Sequence, residues 1–249
     1  MGTPLQKKMS NMLTEQEYLK LCPLPAAEGS TAEQPELPPR PEIPRLLVFG
    51  GSFDPIHNGH IAIAEKLLEL KLCDEVMFVP AAMPPHRTPK DLAAPEHRMK
   101  MLNLVMPMNP AFSCSDIELN REGPSYTFDT LTILAKLMPD TQISFLVGMD
   151  SLCHLHEWYR ALELVQRFPL LVYPRPGYNM PAYPDLQDRF GLVIARKLLD
   201  SVISEEDLPT WDIASTRIRD QIRRGGTPEA FLPPPVWQYI KQQGLYSHD

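Results

Sequence analysis

RLLVFGGSFDPIHNGH, the stretch from Arg45 to His60, begins with a short apolar run and ends where a helical pattern starts. The run RLLVF is typical of a buried strand, and Gly50 and Gly51 are expected to close it with a tight turn. Apolar side chains at helical spacing over residues 60–70 predict a helix directly after that turn. A strand, a glycine turn and a helix in this order predict the first unit of an α/β fold.

The same alternation continues along the chain. Apolar runs predict strands over residues 45–49, 75–79, 112–119, 142–147 and 169–173, and amphipathic spacing predicts helices over 60–70, 95–106 and 125–138. Apolar strands separated by helices indicate a doubly wound parallel sheet with both faces covered. In such a sheet we expect the ligand beyond the carboxyl ends of the strands.

The first 44 residues have a different composition. From Cys22 to Pro44 they read CPLPAAEGSTAEQPELPPRPEIP, and proline at that density opposes both helix and sheet. A short helix is predicted over Thr14 to Leu21 from its capping pattern. We therefore expect a disordered extension over residues 1–44 and a single folded domain over residues 45–249.

Composition excludes several classes of protein. The net charge of −7 argues against a nucleic acid or an anionic membrane as a partner. The four cysteines are scattered without a CxxC pair, as is typical of a reducing compartment. No stretch approaches the roughly 20 apolar residues of a membrane helix. These features predict a cytoplasmic protein without nucleic-acid or membrane partners, and they leave a homo-oligomer open.

Two segments carry candidate chemistry. In the first, His57 and His60 are three residues apart at the entry to a helix, whose N-terminal N–H groups favour phosphate. A zinc site there is disfavoured because no third ligand lies nearby. In the second, WDIASTRIR (211–219), Ser215 or Thr216 is predicted to cap a helix whose first turn carries two arginines. Arginines at that position favour a bound anion such as a triphosphate.

GSFDPIHNGH and ASTRIR together resemble the nucleotidyltransferase superfamily with HxGH-type histidines, which has a Rossmann-like fold. Within it, the chain is similar to bacterial nicotinate-nucleotide adenylyltransferases. The supporting segments follow in the family's order: PPHR (84–87), PSYTFDTL (124–131), GMDSL (148–152), EWYR (157–160), YPRPGY (173–178) and PPPVWQYIKQQGLY (233–246). The resemblance covers residues 45–246. Ser52 replaces the usual threonine, and Ala214 replaces a usual serine.

The resemblance implies transfer of AMP from ATP to nicotinate mononucleotide, giving nicotinate adenine dinucleotide (deamido-NAD) and pyrophosphate in NAD biosynthesis. Mg²⁺ is expected to arrive with ATP, without a metal site in the protein. The resemblance implies roles for three sets of residues: catalysis by His57 and His60; ATP binding by these histidines with Gly51, Ser52, Phe53, Asp150, Ser215, Thr216 and Arg219; and mononucleotide binding by His86, Arg87, Thr127, Trp158 and Arg175. His154 and His156 match no family ligand and are interpreted as structural.

Two alternatives remain open. One is an adenylyltransferase for another phosphate, such as nicotinamide mononucleotide or phosphopantetheine. The phosphopantetheine enzymes are typically shorter and lack the SYT, GMDSL and EWYR segments. The other alternative is a non-catalytic nucleotide-binding module on the same fold.

Overall fold

The computed structural model describes residues 43–82, 92–175, 177–204 and 213–247. The predicted helix over Thr14 to Leu21 lies outside these residues, as does nearly all of the predicted extension. The boundary between an extension and a folded domain therefore stays a prediction.

Five parallel strands form one sheet in the order β3-β2-β1-β4-β5. Their bounds are β1 Arg45–Gly51, β2 Glu75–Pro80, β3 Phe112–Cys114, β4 Gln142–Gly148 and β5 Leu170–Tyr173. All four neighbouring pairs are parallel. From β1 the chain winds outwards through β2 to β3, and it then returns to pair β4 with the other side of β1. The doubly wound parallel sheet is confirmed.

Nine α-helices occur in the described part of the chain. They are α1 Asn58–Glu69, α2 Pro95–Val105, α3 Thr127–Leu137, α4 Met149–Cys153, α5 Ala161–Arg167, α6 Tyr183–Phe190, α7 Leu192–Asp200, α8 Ser215–Arg223 and α9 Pro234–Gln243. No helix among them combines the length and the apolar character that crossing a membrane requires.

The central strand shows why both faces of the sheet are covered. Side chains alternate between the faces of a strand, and all four apolar side chains after Arg45 in β1 are buried. Leu46 and Val48 belong to one apolar cluster, whereas Leu47 and Phe49 belong to the other. A strand that is apolar on both faces can lie only in the middle of a layered fold.

The observed bounds match most predicted elements within a residue or two. The exception is the third strand, which was predicted over residues 112–119 and ends at Cys114. The chain turns there because Ser115 Oγ accepts the Ile117 N–H (3.3 Å) and Asp116 O accepts the Asn120 N–H (3.0 Å). The Ile117 N–H thus bonds locally to the Ser115 side chain and not to a neighbouring strand.

Candidate active site

The site lies where the winding of the sheet reverses. β1 and β4 are hydrogen-bonded neighbours whose following segments leave in opposite directions, and this reversal opens a crevice beyond their carboxyl ends. A cavity of about 620 Å³ occupies that position. Its volume is in the usual range for a site that binds a small molecule.

The cavity brings together five residues that were predicted to bind ligand. These come from four different segments of the chain: Gly51, Ser52, Thr127, Asp150 and Trp158 all line it. The indole of Trp158 is half-buried and packs edge-on against the Phe145 ring, with centroids 6.2 Å apart. One indole face can therefore remain available to a planar ligand. Thr127 and Asp150 lie in the first turns of α3 and α4.

Sequence reasoning missed several residues that line the same cavity. Glu118, Tyr126, Tyr159 and Tyr178 were not assigned a role, and His154 was interpreted as structural. The rings of Tyr126 and Tyr159 stack with centroids 4.5 Å apart. His154 is well exposed and lies 3.3 Å from Glu157 Oε1. All three tyrosines lie within or next to a sequence motif quoted above, so the motifs indicated the segments that line the cavity.

Glu118 is a buried carboxyl group at the wall of the cavity. It is 8% exposed, and its Oε1 accepts a hydrogen bond from Thr130 Oγ1 at 2.7 Å. Burial raises the pKa of Glu118 above its ordinary value, although the hydrogen bond from Thr130 opposes that shift. This pairing joins the turn after β3 to helix α3, which carries Thr127.

The two histidines form a compact pair at the start of α1. His57 is the N-cap residue, and its ring stacks on that of His60 with centroids 3.6 Å apart and planes inclined by 23°. The backbone N–H of His57 donates to His60 Nδ1 at 3.3 Å. Because Nδ1 accepts this hydrogen bond, the proton of a neutral His60 resides on Nε2. His60 therefore presents an N–H donor away from the helix start.

Both imidazoles are neutral in the free protein. Burial, with a contribution from the charge of Arg175, lowers the pKa of His57 to about 3. Burial also lowers the pKa of His60 well below its ordinary value, as do the neighbouring His57 and Arg175. Two adjacent imidazoles beside a guanidinium cannot readily take up protons. Such a pair can offer N–H groups as hydrogen-bond donors and is poorly suited to taking up a proton.

Arg175 links the histidines to the cavity. Its guanidinium forms an ion pair with Asp150, and its charge reaches both imidazoles. Asp150 Oδ1 is buried, and no hydrogen-bond partner for it occurs within the described ranges. Arg175 and Asp150 follow adjacent strands, β5 and β4, which explains how residues 25 apart in sequence meet.

The sharp turn after β1 is made by Phe53 and not by the two glycines. Phe53 has a left-handed backbone (φ 45°), whereas Gly50 and Gly51 have ordinary φ values. A Cβ atom on Gly50 would lie 3.0 Å from the Phe145 ring, and one on Gly51 would lie 3.1 Å from the Phe53 ring. The glycines are needed for close packing of aromatic rings. A left-handed non-glycine residue costs about 1–3 kcal/mol and persists only where its surroundings fix it.

Ser215 and Arg219, from the second segment that the sequence singled out, contact the loop after β1. The prediction that Ser215 or Thr216 caps helix α8 is wrong, because Ala214 is the N-cap residue. Ser215 Oγ instead donates to the carbonyl of Pro55 at 3.0 Å. Arg219 is 7% exposed, and its Nη1 donates to the carbonyl of Asp54 at 2.7 Å. Both side chains hold the loop after β1, and their contacts with the β- and γ-phosphates stay predictions.

Two assignments cannot be compared with the structure. His86 and Arg87 lie in residues 83–91, outside the described part of the chain. Over the residues that are described, no three His, Cys, Asp or Glu side chains are grouped so that they could hold a metal ion.

Comparison with known proteins agrees with this geometry. Residues 48–221 match the cytidylyltransferase-like family. The chain is 34% identical over 202 residues to the nicotinate-nucleotide adenylyltransferase of Bacillus subtilis (strain 168), a match that covers 81% of this chain and 98% of that protein. It is 37% identical over 209 residues to a probable nicotinate-nucleotide adenylyltransferase of Synechococcus sp. (strain JA-3-3Ab). That match covers 84% of this chain and 98% of the Synechococcus protein.

The fold is shared with solved structures. The nicotinic acid mononucleotide adenylyltransferase of Plasmodium falciparum complexed with NaAD superposes with a TM-score of 0.65 at 19% identity, covering 82% of this chain and 97% of that one. At this identity the likeness shows the Rossmann-like fold. The sequence relatives show more, because the chain spans nearly their whole length: it belongs to the nicotinate-nucleotide adenylyltransferase family.

Proposed function

We propose that this chain transfers the AMP moiety of ATP to nicotinate mononucleotide, which yields nicotinate adenine dinucleotide and pyrophosphate. The observation that carries the proposal is a 620 Å³ cavity at the switch point of the sheet, lined by Gly51 and Ser52. The stacked pair of His57 and His60 does not line this cavity itself but lies at the start of the helix that follows this segment. Relatives that carry this activity in their names extend over the same residues. The Plasmodium protein of the same fold binds NaAD, the product of such a reaction.

The reaction needs no nucleophile from the protein. An oxygen of the mononucleotide 5′-phosphate attacks the α-phosphorus of ATP, and the bond between that phosphorus and the oxygen bridging to the β-phosphorus breaks as pyrophosphate leaves. Catalysis then rests on alignment of the two phosphates and on stabilisation of the developing charge. The Nε2–H of His60 and the ring of His57 at the N-terminus of α1 would serve that task.

Mg²⁺ enters as part of the substrate MgATP, held by phosphate and water oxygens. The α1 N-terminus and the loop from Gly51 to Phe53 would take the triphosphate, and Ser215 and Thr216 would approach its outer phosphates from α8. Asp150 would accept a hydrogen bond from a ribose hydroxyl. Its buried Oδ1, for which the described residues supply no donor, supports this assignment.

The mononucleotide would occupy the side of the cavity that contains Trp158. The nicotinate ring would stack on the half-buried indole, and Thr127 at the start of α3 would lie against its other edge. Arg175 would contact its phosphate beside the histidines, and His86 and Arg87 would approach from the segment after β2. This reaction implies the cytoplasm, where ATP is abundant and thiols stay reduced.

The proposal is tested by incubating the full-length chain with labelled ATP and following where the label goes. With ATP labelled at the α-phosphate and nicotinate mononucleotide as acceptor, the label should appear in a dinucleotide with the mass of nicotinate adenine dinucleotide. With ATP labelled at the γ-phosphate, it should appear only in pyrophosphate. Transfer of the γ-label to the mononucleotide would identify a kinase and overturn the proposal. A parallel reaction with CTP tests the choice of nucleotide.

A further inference from the structure

The loop Ser52–Pro55 between β1 and α1 is anchored by side chains from distant parts of the chain. Arg98 in α2 is 1% exposed, and its Nη1 donates to the carbonyls of Ser52 (3.0 Å) and Ala81 (2.7 Å). Its Nε donates to the carbonyl of Ala93 at 3.1 Å. The guanidinium thus ties the loop to the end of β2 and to the chain just before α2.

Asp54 is the centre of these contacts. It is fully buried, and its Oδ1 accepts hydrogen bonds from Tyr246 OH at 2.6 Å and from the Ala93 N–H at 3.2 Å. Arg219 Nη1 lies 3.6 Å from Asp54 Oδ2. Tyr246 follows helix α9 near the C-terminus, so this hydrogen bond joins residues 192 apart in sequence.

These anchors have a mechanical reason. Phe53 lies between Ser52 and Asp54 with a left-handed backbone, a conformation that its own sequence does not favour. The loop must therefore be held from outside. Burial and the neighbouring carboxylate raise the pKa of Tyr246, so its hydroxyl keeps its proton and donates to Asp54. The Tyr246 hydroxyl is thereby bonded to Asp54, which stands three positions before His57 in the sequence.

We propose that Tyr246, acting through Asp54, is a positioning residue for the loop Ser52–Pro55, which supplies phosphate-binding backbone and leads into the two histidines at the start of α1. Tyr246 is not among the residues that line the cavity, and the segment PPPVWQYIKQQGLY (233–246) that contains it was assigned no contact with ligand. The proposal rests on the adenylyl transfer proposed above and adds a residue to that site. It also gives the short segment after α9, Gly244 to Tyr246, an indirect role in adenylyl transfer.

If Tyr246 served only to pack the apolar cluster, loss of its hydroxyl should have no more effect on catalysis than loss of the Tyr239 hydroxyl. Tyr246 and Tyr239 are both partly buried, and both pack on the same apolar cluster. The Tyr239 hydroxyl also makes a side-chain hydrogen bond, to His97 Nδ1 at 2.8 Å and not to a residue of the loop. Replacement of either tyrosine with phenylalanine removes one hydroxyl and leaves the ring. Tyr239→Phe is therefore a matched control for Tyr246→Phe.

The experiment compares the two variants with the wild-type chain in three measurements. These are the steady-state kinetics of adenylyl transfer, the Kd for α,β-methylene-ATP and the thermal unfolding midpoint. We expect Tyr246→Phe to lower kcat/KM for ATP at least about tenfold and to leave KM for nicotinate mononucleotide within about twofold, because a small displacement of a catalytic loop has large kinetic effects. Its Kd for the analogue should rise at least about threefold. Tyr239→Phe should match the wild type in both respects.

Assays are run well below every unfolding midpoint, so a lowered midpoint alone does not produce the expected pattern. The positioning role is overturned if Tyr246→Phe retains wild-type kcat/KM and analogue affinity, or if Tyr239→Phe loses as much. If the wild-type chain transfers no AMP, the proposed function fails, and the analogue Kd then decides the positioning role by itself.

Discussion

The rings of His57 and His60 lie face to face, with centroids 3.6 Å apart, at the N-terminus of helix α1. The backbone of His57 supplies a hydrogen bond to His60 Nδ1, so the helix start itself selects the tautomer of the second histidine. Edge-on contacts with Phe49 (5.7 Å) and Phe53 (5.1 Å) hold the His60 ring in place. A pair arranged in this way offers N–H donors whose positions are set before the substrate arrives.

Replacement of His60 with alanine should lower kcat by about 10²–10³-fold, the usual effect of removing one preorganised donor to a developing charge. The helix should survive, because His60 is not its only source of stability. Steady-state kinetics with MgATP and nicotinate mononucleotide measure the effect, and circular dichroism checks the fold. His156→Ala is the control, since that side chain is not among those that line the cavity and contacts Arg189 and Glu157. Near-normal turnover in His60→Ala would remove this histidine from the mechanism.

Acid should destabilise the protein through His57. Its pKa is about 3 in the folded state and about 6.5 when unfolded, so the unfolded chain takes up the proton first. Stability conferred by the neutral imidazole is therefore complete above pH 6.5 and is lost as the pH falls towards 3. The loss should be about 1.4 kcal/mol per pH unit within that window.

Urea denaturation of the wild type and of His57→Asn at pH 6.5, 5.5 and 4.5 measures this loss, with pH 6.5 set by the unfolded pKa. The difference in free energy of unfolding between the two proteins should shift in favour of the variant as the pH falls. A constant difference across the series would show that His57 has an ordinary pKa in the folded chain.

Arg175 should influence the ionisation of both histidines. Its charge lowers their pKa values, so Arg175→Gln should raise the pKa of His57 and of His60. Burial is the larger cause, and both values should therefore stay below 6.5. Imidazole ¹⁵N chemical shifts across a pH series measure the change. Arg189→Gln serves as the control because Arg189 contacts His156 and not the pair; an equal shift in both variants would contradict the assignment to Arg175.

Trp158 should determine affinity for the mononucleotide. Trp158→Ala removes the aromatic face at the cavity wall and should raise KM for nicotinate mononucleotide about tenfold or more, with KM for ATP nearly unchanged. Trp158→Phe keeps a smaller ring and should show an intermediate KM. Equal increases in both KM values would place the indole in the core and not in the acceptor site.

The sequence predicted the sheet and the closeness of His57 and His60 because both depend on local pattern. The apolar run of β1 and the helical spacing after it predicted the strand–turn–helix unit, and His57 and His60 share a helix start whatever the rest of the chain does. Strand β3 was predicted too long because Ser115 ends it through a side-chain hydrogen bond that hydrophobicity does not reveal.

The remaining features depend on contacts between distant segments. Glu118 was predicted within a strand, and only the fold places it on the cavity wall against Thr130. Arg98 was assigned no role, yet it is buried and donates hydrogen bonds to three carbonyl groups. The left-handed Phe53 could not be predicted either, since the nearby pair Gly50–Gly51 was the more obvious place for a turn.

The central claim is the identity of the acceptor, and a pyrophosphate-release assay tests it most directly. Purified full-length chain is given MgATP with nicotinate mononucleotide, nicotinamide mononucleotide or phosphopantetheine in parallel reactions. We predict rapid release with nicotinate mononucleotide, a much lower kcat/KM with nicotinamide mononucleotide and none with phosphopantetheine. A higher kcat/KM with either of the other acceptors, or no release with any of the three, would contradict the account.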